Sequence, residues 1–157
     1  MNFKFLLYLL PIFFLITACG GDNRTSISFD YSDAPAFPDT ANAVSKVFSD
    51  TGLIYYVITE GDSSSFELTI RDDMFVYYTT RNLDGDIVSS SFVNGSTSPR
   101  RVNNVGLQTT IGFGGQGLIE GILGMKEGER RLLIIPDEIN TTDQTITIDF
   151  ELVSIAY

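Results

Sequence analysis

Gly117-Leu118-Ile119-Glu120-Gly121-Ile122-Leu123-Gly124-Met125-Lys126-Glu127-Gly128-Glu129-Arg130-Arg131-Leu132, running on to Ile135-Pro136, is the stretch on which the reading of the fold turns. Leu118, Ile119, Ile122 and Met125 fall at helical spacing, so residues 117–125 read as one short helix that buries a single face. Residues 130–136 then read as a strand, and residues 145–156 as another, with Ile146, Ile148, Phe150 and Leu152 alternating against polar neighbours. Upstream, Leu53-Ile54-Tyr55-Tyr56-Val57-Ile58 is a β-rich run closed by Gly61-Asp62. Phe66-Glu67-Leu68-Thr69-Ile70 alternates, and Met74-Phe75-Val76-Tyr77-Tyr78-Thr79-Thr80 is a strand ending at a turn in Asn82-Leu83-Asp84-Gly85. Residues 87–93 read as a further strand or an irregular edge. Strands on both sides of one short helix, with no βαβ alternation, predict an antiparallel α+β domain.

The rest of the composition narrows the chemistry. The chain has 157 residues, room for one ordinary domain, and 43% of them are apolar, enough for a core. Ten basic against 20 acidic residues give a net charge of -10, which repels a phosphate backbone and argues against nucleic acid as a partner. There is no histidine, so the commonest general base and metal ligand is absent and no Ser-His-Asp triad can form. The acidic pairs Asp72-Asp73 and Asp84/Asp86 flank turns and lack calcium-loop spacing. No cofactor or metal is expected. Gly112-Phe113-Gly114-Gly115-Gln116-Gly117 matches G-x-G-x-x-G, but the βαβ unit of a dinucleotide site is missing. These glycines read instead as a loop entering the helix, where close backbone approach is needed.

The single cysteine, Cys19, cannot form an internal disulfide. Lys4 and the apolar residues 5–16 before it have the layout of a secretory signal, and Ile16-Thr17-Ala18-Cys19 looks like a bacterial lipobox. This predicts a signal peptide over 1–18, a lipid anchor on Cys19, and a polar tether over 19–50 that could hold a short helix within 41–48. Diacylation would anchor the chain firmly to a membrane. Gly20 lacks the aspartate that retains some lipoproteins at the inner membrane. The expected location is therefore the cell envelope, facing the periplasm from the outer membrane where the cell has one.

Four strings in order carry a family resemblance over about residues 51–157: residues 52–62; Val76-Tyr77-Tyr78-Thr79-Thr80 leading to Asp84-Gly85-Asp86-Ile87-Val88-Ser89-Ser90-Ser91; the helix and strand quoted first; and Ile148-Asp149-Phe150-Glu151-Leu152-Val153-Ser154-Ile155. The chain resembles the FKBP-type peptidyl-prolyl cis-trans isomerases. The resemblance implies a twisted antiparallel sheet of about five strands wrapped around one short helix. It also implies isomerisation of Xaa-Pro bonds in exported proteins, by desolvation and transition-state binding in an apolar pocket that needs no nucleophile.

Carried over residue by residue, Tyr78 stands at the family's pocket tyrosine and Leu118 at its pocket floor, with Ile119 following on the same helix. Val88 replaces the motif's Phe, and Ile148 the last strand's Phe. Ser89 stands where the family has the aspartate of F-D-S-S. Gly114 and Gly115 occupy the usual Val-Ile before the helix, Thr141 the second pocket tyrosine, and the segment after Pro136 is short. The expected catalytic set is Tyr78, Ser89 and Leu118, lined by Val88, Ile119 and Ile148. These departures together predict a wider, wetter pocket and slower catalysis. The alternatives are a non-catalytic peptide-binding or chaperone-like module on the same fold, and a purely structural lipoprotein. The sequence does not give the oligomeric state.

Overall fold

The computed structural model describes residues 28–156. Within them seven strands form one antiparallel sheet: β1 (Ser45–Phe48), β2 (Ile54–Thr59), β3 (Asp73–Arg81), β4 (Ile87–Ser90), β5 (Arg100–Val102), β6 (Arg130–Ile135) and β7 (Ile146–Ala156). The order is β1-β2-β6-β7-β3-β4, with β5 also pairing on β3. The centre is β7 against β3, where Tyr78 lies opposite Phe150 and Thr80 opposite Ile148. Alternation then sorts the side chains. Val76, Tyr78, Ile148, Phe150 and Leu152 enter the core, while Thr79, Arg81 and Asp149 lie on the other face.

The one α-helix among the described residues, α1 (Gly115–Ile122), lays Leu118 and Ile122 into that core, and it packs on β6. It starts two residues before the expected span and ends three before it. Its exit is held from outside: Arg131 Nη1 donates to the carbonyls of Gly121 (2.7 Å) and Leu123 (3.3 Å). A cation there also complements the negative end of the helix dipole.

Three expectations change. The sheet gains the short strands β1 and β5 beyond the expected number. β1 lies inside the segment read as tether, so the ordered part begins before residue 51, and residues 45–48 are strand where a helix was entertained. Residues 28–44 also find distant partners: Asn94 N–H donates to the Asp30 carbonyl at 2.7 Å, and Arg81 donates to the Pro35 carbonyl. Such contacts join residues far apart in the chain, so local composition carries no trace of them. Finally, residues 66–70 form a loop rather than a strand. Leu68 exchanges backbone hydrogen bonds with Gly124 and Met125 (3.0 and 2.8 Å) and seals the helix exit. Cys19 and the expected signal peptide lie outside the described residues.

Candidate functional site

Tyr78, Leu118 and Ile148 do come together, and the loop before α1 closes over them. Residues 111–115 pass so near that a methyl group at Gly114 would lie 2.3 Å from Leu118 Cβ and 2.9 Å from Ile148 Cδ1. One at Gly112 would lie 3.3 Å from the Tyr78 ring. Only glycine lets the backbone descend this far. Two carbonyls of the loop are fastened. Thr80 Oγ1 donates to Gly112 at 2.9 Å, and Thr141 donates to Phe113 from both its N–H (2.9 Å) and its Oγ1 (3.0 Å). Phe113 itself sits at φ +62°, a left-handed conformation costly for a residue with a Cβ, and its ring stays exposed.

The expected wider, wetter pocket is therefore not what the structure holds. Tyr78 is 3% exposed, Leu118 1% and Ile148 0%. Gly114 carries no side chain, and the loop backbone there rests directly on Leu118 and Ile148. Thr141, at the second pocket tyrosine's position, serves as the clasp.

At the rim the Tyr78 hydroxyl is the centre of a small polar group. Arg100 Nη1 donates to Tyr78 Oη at 2.9 Å, with its guanidinium carbon 5.8 Å from the ring centroid. Ser89 Oγ lies 3.3 Å from the same oxygen. β4 positions Ser89 by pairing it with Thr80, and β5 positions Arg100 by pairing it with Val76. The arginine uses Tyr78 Oη as an acceptor, which leaves the phenol's own proton for Ser89 or for a carbonyl brought to the rim. Ile119 is buried beside Leu118. Val88 is left out of the buried group: it is the unpaired residue of the bulge between Thr80 and Arg81 and is 36% exposed.

The sequence reading missed Arg100, Thr80 and the closing loop. Arg100-Arg101 is a basic pair in an acidic chain, a signal that was there to be weighed. The loop's role depends on contacts with β3 and with residue 141 that no local pattern encodes.

The opposite face of the sheet has a cavity of about 110 Å³ between Pro35, Tyr77, Phe92, Arg130 and Glu151. Tyr77 and Phe92 stack there with centroids 5.1 Å apart. Arg130 grips Asp149 with two hydrogen bonds of 2.8 and 2.7 Å, which raise its already high pKa. Burial lowers that of Arg81 nearby. Arg130 pairs with Asp149 and Arg81 donates to the Pro35 carbonyl, so these groups read as the brace between strands and the N-terminal segment.

Comparison with known proteins agrees on the fold. No family model matches the sequence, and no curated protein matches it. Solved structures do. FkpA from Escherichia coli superposes with a TM-score of 0.59 at 22% identity, covering 73% of this chain and 53% of that one. AtFKBP13 gives 0.59 at 20% identity, covering 71% and 99%. A peptidyl-prolyl cis-trans isomerase from Pseudomonas syringae gives 0.55 at 16% identity, covering 75% and 86%. This chain spans about half the length of FkpA and nearly all of AtFKBP13. Its fold is the FKBP fold.

Proposed function

From the FKBP fold of this chain we propose that it is a peptidyl-prolyl cis-trans isomerase acting on Xaa-Pro bonds of exported proteins. The observation that carries this reading is the convergence of Tyr78, Leu118 and Ile148 beneath a glycine loop, with the Tyr78 hydroxyl held at the rim. An Xaa-Pro bond resists rotation because amide resonance sets a barrier of ~18–20 kcal/mol. The twisted transition state has less charge separation than the planar amide, so an apolar site favours it where water does not. Tyr78 Oη, already accepting from Arg100, has its proton available for the peptide carbonyl beside the proline.

A proline ring needs the loop over residues 111–115 to lift. Lifting breaks the Thr80 and Thr141 hydrogen bonds, each worth about 0.5–1.5 kcal/mol net. Release of Phe113 from its left-handed conformation returns about 1–2 kcal/mol. Three bonds are lost against that return, so at mid-range the closed state is favoured by about 1.5 kcal/mol, which makes the open state a minor one and weakens apparent binding by its fraction. Catalysis by this chain is therefore modest.

Exchange NMR of a short Xaa-Pro peptide with the full chain in mild detergent tests this. Wild type accelerates exchange, and Tyr78→Phe, which keeps the packing but removes the hydroxyl, lowers the rate about 2- to 10-fold. Thr141→Ala raises it modestly by removing one of the two hydrogen bonds that Thr141 makes to the Phe113 carbonyl. Folded protein that accelerates no peptide would remove the enzyme reading. A serine, Ser89, beside the Tyr78 hydroxyl in place of a carboxylate favours a second reading, a peptide-binding or chaperone-like module. Binding without acceleration would establish it.

The Cys19 anchor belongs to the same proposal: lipid on Cys19 holds the domain at the envelope membrane, where exported chains fold. Cys19→Ala should move the protein from the membrane fraction to the soluble one.

A further inference from the structure

Arg100 places a positive charge beside the Tyr78 hydroxyl at the rim of this site. It is exposed on the short strand β5, and one of its donors is used on Tyr78 Oη. Its neighbour Arg101 is paired with Asp73 at 3.1 Å, whereas among the described residues no carboxylate lies within ion-pair distance of Arg100. The side chains that share this hydroxyl or fasten the loop over it are neutral: Ser89 on β4, and Thr80 and Thr141 against the loop. A guanidinium offers five donors in a planar fork suited to a carboxylate, and most of them face solvent here. The cation is also set in a chain whose net charge is -10.

We infer that Arg100 is a specificity-determining residue, selecting proline segments in which an acidic side chain directly adjoins the proline. The inference rests on the isomerase reading of the site. With the proline ring between Tyr78, Leu118 and Ile148, the adjoining residue's Cα is about 3.8 Å from that of the proline. That places an Asp or Glu side chain at the rim, against the free edge of the guanidinium. The pair is partly exposed, so its effect is about 2- to 5-fold in kcat/KM. High salt screens it.

The experiment is the same exchange measurement on a panel of equal-length peptides carrying Glu-Pro, Leu-Pro, Lys-Pro or Pro-Glu, at low and high salt. Wild type turns over at least one Glu peptide about 2- to 5-fold faster than Leu-Pro, and Lys-Pro more slowly. Arg100→Gln levels the series, Arg100→Glu turns it toward Lys-Pro, and Arg101→Gln leaves it as in wild type. Equal rates across the panel in wild type, or a preference that survives Arg100→Gln, would overturn the inference while leaving the isomerase intact. If no peptide is accelerated, the isomerase reading falls, and the panel is read as Kd by chemical-shift titration. Tighter binding of Glu peptides that Arg100→Gln abolishes supports the selection. Equal Kd values, or no binding, overturn it.

Discussion

Gly114 shows how one absent side chain sets the state of a site. Its place against Leu118 and Ile148 leaves no room for a methyl group, and the nearest atom is Leu118 Cβ, which cannot swing aside. Gly114→Ala should therefore lower stability by about 1–3 kcal/mol, read as a lower urea midpoint. An unchanged midpoint would mean that the loop does not rest on the core. The sequence showed that Gly112-Phe113-Gly114-Gly115 was built for close approach. It did not show to what, because Tyr78 and Ile148 reach the loop only through the sheet register. Charge at single residues gives a second test. Asp73 accepts from the Asn104 N–H and pairs with Arg101, and these hold its carboxyl below the usual range. A depressed folded pKa means stabilisation that is present above the unfolded value and lost as pH falls through the folded one. The difference in melting temperature between wild type and Asp73→Asn should be full at neutral pH and close on acidification below about pH 4. A difference that stays constant through that range would count against the assignment.

Among the elements, the joint between α1 and β6 bears the most. Glu129 and Arg131 are both buried and joined by a 2.6 Å hydrogen bond, while Arg131 also holds two carbonyls at the helix exit. Glu129 in turn accepts from the Lys126 N–H and so shapes the turn into the strand. Removing one partner of a buried pair leaves a charge without compensation, so Glu129→Ala should cost about 3–5 kcal/mol. A loss under about 1 kcal/mol in urea unfolding would show the pair to be solvated. The stretch from Gly117 to Pro136 was the most legible part of the chain, since its apolar period and its change to a strand pattern are local. The function of Glu129 and Arg131 was not legible: a charged run ordinarily reads as a solvated face, and here it is folded inward onto the helix end.

At the scale of the molecule, the N-terminal segment is part of the fold. β1 covers the edge of β2, and the Pro35 carbonyl receives Arg81 on the outer face of the sheet. A chain starting at residue 51 should be less stable than one starting at residue 28. The lost hydrogen bond from the Arg81 guanidinium to the Pro35 carbonyl alone is worth about 1.5–3 kcal/mol. Equal denaturation midpoints would return residues 28–50 to the role of spacer. The central claim is that prolines enter between Tyr78, Leu118 and Ile148 when the glycine loop lifts, and methyl NMR tests it most directly. Titrating the full chain with a proline peptide should shift the Leu118 and Ile148 methyl signals, with larger shifts in Thr141→Ala. If those methyls stay still while the aromatic ring signals of Tyr77 and Phe92, followed in the same titration, respond, prolines bind at the outer-face cavity on the other side of the sheet and the claim is contradicted.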